Sequence, residues 1–354
     1  MRKSIYRGTE SDAVAVFERA PFVHVAGTSA EGELILRTLH AVVVEDALVF
    51  HGAVVGEKLG LEGQVVVVSA EQVVAGIPSY ASDPERACPA TTYYRAAQVR
   101  GVFEPVDTPE AKAAVMQALM VRFQPEGGYV PITDDGALYR QALRGLRVWR
   151  VGLQGAVAKH KLGQNRRPEQ VGVVLEVLWQ RGEPGDLAAI EILRQARPEV
   201  PVPLGLAAPD GVTLCCAPSQ DDARAVAALL EGTDWNDGVA PVRRARAHLG
   251  SAAWLVARVQ GAVIGSVRVV SDGARFGTLA DVVVHKDHRG RGIATALLRA
   301  VLDHPAVRDV DRVTLRTQDA RALYDGLGFE VDADPAGAWS SMDRRGGRAV
   351  PAGS

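Results

Sequence analysis

The chain has 354 residues, too many for one ordinary hydrophobic core, so two domains are expected. Its 47% hydrophobic and 23% charged residues, with few aromatics, are the balance of soluble globular proteins. A formal net charge of −2 and the lack of any Lys/Arg run argue against a nucleic-acid or membrane surface.

The N-terminal stretch MRKSIYRGTESDAVAVF has early basic residues but no apolar run of the signal-peptide kind. Valine-rich runs such as Gln64 to Ala70 are far too short to span a bilayer. Cysteine occurs only at Cys88, Cys215 and Cys216, without metal-ligand spacing, and adjacent cysteines rarely pair. A reduced, cytoplasmic protein is the expectation. Phe22 to Gly27, Glu33 to Val44, Ala47 to His51, Gln64 to Ala70, Tyr94 to Phe103 and Arg147 to Leu153 read as strands. Pro109 to Phe123 interrupts them with helical spacing at Ala113, Met116, Leu119 and Met120. Short strands with few helices predict a small barrel.

Two helices are expected over Pro168 to Gln180 and Pro184 to Gln195, broken by Gly182 and Pro184. The proline-rich, aperiodic stretch Arg197 to Gly211 reads as an interdomain linker. The expected boundaries are 1–200 for the barrel with a helical extension at 168–196, 201–210 for the linker, 211–343 for a second domain and 344–354 for a disordered tail. Within the second domain, strands are predicted at Val212 to Cys216, Trp254 to Val259, Val263 to Val270, Thr278 to Val284 and Arg312 to Thr317. Helices are predicted from Ser219, as cap, to Leu230, then over Pro241 to His248, Gly292 to Leu302 and Asp319 to Gly326. The fold class is α+β: a split β-barrel followed by an α/β domain with a central mixed sheet.

The sharpest motif is His288-Arg289-Gly290-Arg291-Gly292-Ile293-Ala294, directly after the strand Ala280 to Val284. Glycines let the backbone N–H groups converge, and the following helix presents its positive end, so a pyrophosphate fits. Arg289, Gly292 and Ala294 resemble the Arg/Gln-x-x-Gly-x-Gly/Ala signature of GNAT acetyltransferases. Asp319 to Phe329, with Tyr324 and Gly328, resembles the family's second element. The resemblance implies acetyl-CoA as acetyl donor and direct attack by a small-molecule amine. It places the pantetheine arm along Val282, Val283 and Val284, and the pyrophosphate on Arg289, Gly290, Arg291, Gly292, Ile293 and Ala294. Tyr324 stands where the family's phenol protonates the departing thiolate, or else anchors the helix as a core tyrosine. Asp281 resembles an acid of a subgroup that also shares Thr317-Gln-Asp-Ala and Trp339-Ser-Ser-Met. It would act as a base through water, bind an ammonium, or be a solvated strand-end carboxylate. His285, His288 and Glu231 are weaker base candidates. Cys215 and Cys216 read as core residues.

In the first half, Leu36 to His40, Ala47 to Gly52 and Gly56-Glu57-Lys58 are similar to the FMN-binding split barrel of the pyridoxamine-phosphate-oxidase superfamily. That likeness implies that Arg37 and Lys58 grip the FMN phosphate, a role that paired cations suit. Ile77 to Tyr80, Thr91 to Gly101 and Lys159 to Arg166 resemble PaiB-type flavin-binding regulators, which implicates Lys161, Gln164 and Asn165. The same scaffold serves haem-dependent piperazate synthases, where the position of His51 holds iron. His51 is thus a haem b ligand, a polar group beside a flavin, or a satisfied strand histidine. The regulators' tryptophan-rich loop is replaced by Pro89 to Tyr93 and no helix-turn-helix is evident, so DNA binding is not expected. Split barrels of this type imply a homodimer with the cofactor at the interface. Three readings follow: a bifunctional enzyme, a cofactor sensor regulating the acetyltransferase, or a barrel that serves only dimerisation.

Overall fold

The computed structural model describes residues 4–331 and 340–345. Its contacts divide the chain into two compact units, Met1–Gly76 with Thr91–Asn165, and Ile77–Ala90 with Arg166–Ser354.

The first unit contains β1 (Arg7–Gly8), α1 (Glu10–Arg19), β2 (Val23–Thr28), β3 (Leu34–Leu39), β4 (Ala41–Val44), β5 (Ala47–Ala53) and β6 (Val65–Ile77). β7 (Thr91–Val102), β8 (Glu104–Val106), α2 (Pro109–Phe123), α3 (Arg140–Arg144), β9 (Leu146–Gly152) and β10 (Val157–Lys161) complete it. The strands form a six-stranded sheet, β1-β10-β7-β6-β2-β3, and a four-stranded sheet, β4-β5-β9-β8. Their inner faces enclose one core that includes Phe17, Val25, Phe50, Val66, Phe103 and Trp149. These antiparallel sheets around a shared core are the expected split barrel. The run Glu33 to Val44, read from sequence as one strand, is two strands in different sheets, parted at His40. Alternation persists through such a corner, so periodicity alone does not reveal it. Helix α1, not foreseen, starts with a reciprocal cap between Thr9 and Asp12.

The second unit contains α4 (Pro168–Arg181), α5 (Asp186–Ala196), β11 (Thr213–Cys215), α6 (Gln220–Leu229), α7 (Pro241–Leu249), β12 (Ala253–Val259) and β13 (Ala262–Ser271). β14 (Phe276–Val284), α8 (Ile293–Leu302), β15 (Arg312–Thr317), α9 (Arg321–Asp325), β16 (Glu330–Val331) and β17 (Ser340–Arg345) follow. The mixed sheet runs β11-β12-β13-β14-β15-β17-β16, with β14 and β15 parallel. Helix α8 makes the crossover and buries Ile293, Leu297, Leu298 and Val301.

Helices α4 and α5, which the sequence reading attaches to the barrel, pack within this second unit. The Trp179 indole N–H donates to Asp303 at 2.6 Å, and the Arg308 guanidinium donates to the Trp179 carbonyl at 2.7 Å. The stretch read as a linker is packed as well: Val200 and Leu206 are buried, and a Cβ on Gly205 would come within 2.4 Å of the Trp179 indole nitrogen. Prolines remove helical and strand periodicity without removing apolar side chains, so a buried aperiodic segment looks like a linker in sequence. Arg344 pairs with Val313 in β17, inside the stretch expected to be a disordered tail. Trp339 and residues 346–354 lie outside the described residues.

Candidate acetyl-transfer cleft and barrel cofactor residues

The cleft begins with a bulge. Ser266 pairs with Val283 and Arg268 with Ala280, so Asp281 and Val282 stand opposite Val267 alone. Asp281 takes a left-handed φ of 51°, which an aspartate tolerates better than most side chains. β14 pairs with β15 only over Phe276–Thr278, and beyond that point the strands part. The opening is a cleft of about 460 Å³ lined by Ala280, Asp281, Val282, Leu315, Trp235 and Tyr324. Asp281, Val282 and Tyr324, placed together by sequence, are thus brought together by the fold. Val283 is buried among apolar side chains. Val284 borders the next depression along the strand, about 280 Å³, with Arg289, Gly290, Gly292, Ile293 and Ala294.

That second depression has a backbone floor. Gly290 and Gly292 have φ of 74° and 76°, and a Cβ on Gly290 would meet nothing within 4 Å. Glycine is needed there for conformation, not for space. Gly292 leads into α8, whose N-terminus has no side-chain cap. Its first N–H groups and the helix dipole suit an anion. The Arg289 guanidinium instead donates to the Val284 carbonyl at 3.1 Å, bracing the loop against the strand. Arg291 lies 3.1 Å from His288 Nδ1.

Tyr324 is 7% exposed, with its ring edge against Phe329. Burial, then the charge of Asp319, push its phenol up to about 12. Asp281 is shaped oppositely. Burial opposes its charge, but the Arg268 guanidinium, Asn236 and His248 outweigh that and hold the carboxyl below its ordinary range. Arg268 Nε donates at 2.6 Å and Asn236 Nδ2 at 3.1 Å. His248, wholly buried, has Nδ1 2.8 Å from the Arg244 carbonyl, so Nδ1 carries the proton. Its Nε2 lies 3.9 Å from Asp281, and the imidazole lowers the Asp281 pKa when it is protonated. Burial lowers the pKa of this imidazole, which favours its neutral form. Cys215 is pushed up to about 11 by burial and Cys216 is raised as well, so neither offers a thiolate near neutral pH.

In the barrel, Arg37 pairs with Glu57, the residue beside Lys58. The Lys58 amine donates to the Val55 carbonyl at 3.1 Å and lies over the Trp149 ring. Its stem occupies the space where Gly52 would carry a Cβ. Strand alternation then separates two expected partners. Gly52 shares the inner face of β5 with Phe50, opposite Trp149, whereas His51 stands opposite Val148 on the face that α2 covers. His51 and the Lys58 stem thus lie on opposite sides of β5. Among the described residues His51 Nδ1 is buried without a partner, and burial, then His40, lower its pKa. Lys161 bonds Thr91, and its strand stands four places from β3 in the sheet order. Gln164 spends its amide on the Leu162 N–H and the His160 carbonyl, bracing the turn in which Asn165 is exposed.

Comparisons with known proteins agree with this two-part architecture. Residues 9–159 match the family model described as pyridoxamine 5'-phosphate oxidase, and residues 250–331 match the acetyltransferase (GNAT) domain. The chain joins a pyridoxamine-phosphate-oxidase-type domain to a GNAT domain. An acetyltransferase of Pectobacterium atrosepticum is 34% identical over 120 residues, which are 32% of this chain and 84% of the relative. A solved GNAT-family protein from Xanthomonas campestris is 33% identical, over 36% of this chain and 90% of its own, with a TM-score of 0.34. A flavocytochrome from Azotobacter vinelandii is 15% identical, over 44% of this chain and 69% of its own, with a TM-score of 0.37.

Within the GNAT domain, sequence reasoning missed Arg268, Asn236 and His248, the three groups around Asp281. Asn236 follows Trp235 in a polar loop and Arg268 sits in an ordinary alternating strand, so neither position signals its partner. The weaker base candidate Glu231 is exposed, and His285 is partly exposed beside Asp287.

Proposed function

We propose that the GNAT domain is an acetyl-CoA-dependent N-acetyltransferase working in the cleft between β14 and β15. The observation that carries this reading is the succession, along β14 and its loop, of the Asp281–Tyr324 cleft and the uncapped start of α8. Acetyl-CoA needs both, a diphosphate site and an open strand edge beside a proton donor. Val282 to Val284 would hold the pantetheine arm. A neutral amine would attack the thioester carbonyl and the C–S bond would break. Tyr324 would donate its hydroxyl to the forming thiolate. Burial raises this phenol, which favours hydrogen bonding to the developing charge over complete proton transfer. Asp281, already paired with Arg268, suits electrostatic organisation better than proton abstraction. Calorimetry with acetyl-CoA is the test, and a protein that does not bind it ends this reading.

For the first domain the reading is an FMN-binding split barrel of redox role, in a homodimer formed through the barrel. Arg37 and Lys58 would hold the phosphate, which would take the place of the exposed Glu57 carboxylate at Arg37. Bound FMN would supply electron or hydride transfer. The alternative is haem b with N–N bond formation, favoured by the unpartnered buried nitrogen of His51, a suitable iron donor when neutral. A barrel that only senses a cofactor or dimerises is the remaining possibility. An absorbance spectrum gives flavin bands, a Soret band or neither, and turnover of the cofactor with a substrate then separates enzyme from sensor. A cytoplasmic setting, no nucleic acid and no membrane partner complete the proposal. Tethering would raise the effective concentration of a shared small molecule.

A further inference from the structure

Resting on the acetyltransferase reading, we infer that the acceptor is a diamine or polyamine, an amine carrying a second cationic nitrogen that does not react. Three carboxylates line the cleft, Asp234, Asp281 and Asp319. Arg268 engages Asp281 at 2.6 Å. Asp234 and Asp319 are exposed, and among the described residues neither carboxylate has an ion pair. Arg316 also borders the cleft and is itself held by another interaction. Setting Arg316 and the Arg268 bound to Asp281 against the three carboxylates leaves a formal charge of −1.

Charge alone would make an acidic rim, but the cleft is also built for chemistry. Tyr324 is 7% exposed, lines the cleft, and its hydroxyl makes no hydrogen bond among the described residues. Between it and the rim run Ala280, Val282, Leu315 and the half-exposed indole of Trp235. Asn236, bonded to Asp281, fixes the short turn that carries Asp234 and Trp235 over the opening.

The reaction then selects among amines. The attacking nitrogen must be neutral, so a monoamine in its reactive form brings no charge to Asp234 or Asp319. A second alkylammonium, with a pKa of about 10, remains charged and answers them. Its methylene spacer suits the apolar walls, and an ammonium near Trp235 gains from the indole face. The step balances simply: the N–C bond forms, the C–S bond breaks and coenzyme A leaves as the thiol. The proton lost by the attacking nitrogen ends on the coenzyme A sulfur, and the second ammonium is unchanged.

The test uses the full chain. Calorimetry with acetyl-CoA comes first, so that failure of the acetyltransferase reading is seen separately. Thiol release is then followed with diaminobutane and with butylamine. The expected result is a kcat/KM at least about tenfold higher for diaminobutane, a preference that added salt narrows. In the Asp234→Asn, Asp319→Asn double variant the ratio of the two rates should fall by about tenfold. Both side chains are exposed, so the fold should tolerate the change. Butylamine turned over as well as diaminobutane, a ratio unchanged in the double variant, or acetyl-CoA binding without acetylation of either amine overturns the inference.

Discussion

Arg268 Nε lies 2.6 Å from Asp281 Oδ2, and this contact fixes the ionisation of the carboxylate at the bulge. The folded pKa of Asp281 is depressed, so its pairing stabilises the protein above the unfolded value of about 3.9 and is lost as pH falls through the folded value. Asp281→Asn should destabilise by about 3 kcal/mol at neutral pH by leaving Arg268 without its partner charge. Denaturant titrations should show that gap shrinking in strong acid. Activity profiles between pH 6 and pH 9, once an acceptor is in hand, should show no limb that disappears in this variant; such a limb would restore Asp281 as the base.

Gly292 starts α8 with a left-handed backbone. Gly292→Ala should cost about 1 kcal/mol, because an alanine carries the steric penalty of that conformation. Gly292→Glu adds a negative charge at the anion site, and calorimetry should show acetyl-CoA binding greatly weakened while circular dichroism stays native. Equal affinity in the glutamate variant would remove the diphosphate from this loop.

Tyr324→Phe keeps the buried ring against Phe329 and removes a hydroxyl that has no hydrogen bond among the described residues. Stability should change little, while kcat should fall by about a hundredfold with acetyl-CoA affinity nearly constant. A normal kcat under conditions where chemistry limits turnover would leave Tyr324 only a packing role.

In the barrel, Gly52 and His51 face opposite sides of β5, and Lys58 lies on the Gly52 side. Flavin and haem therefore predict different mutant sensitivities. With FMN, Arg37→Ala combined with Lys58→Ala should empty the site, whereas His51→Ala keeps the yellow colour. With haem, His51→Ala should abolish or shift the Soret band. Spectra of the three proteins after reconstitution decide between them.

Trp179→Phe deletes the donor to Asp303 and leaves a carboxylate beside the buried edge of α4. Unfolding of the GNAT-containing unit should become easier by about 2 kcal/mol. No change would mean that the Trp179–Asp303 contact does not hold α4 in this unit.

Local pattern was enough for much of this molecule. The alternation in Arg312 to Thr317 and the helical spacing in Pro109 to Phe123 matched their elements end to end, because neighbours in the chain set those periods. The glycines at 290 and 292 were legible for a related reason, since a left-handed turn before a helix narrows the choice of residue locally. What depended on distant partners was not legible. The split of Glu33 to Val44 between two sheets, the docking of Trp179 on Asp303 and the burial of Leu206 each require a surface far away in sequence. Asp281 shows the limit best: its type and strand position were visible, but its ionisation was set by Arg268, Asn236 and His248, gathered from a neighbouring strand, a turn and a helix. Electrostatics falls off with distance in space, and only the folded chain fixes those distances.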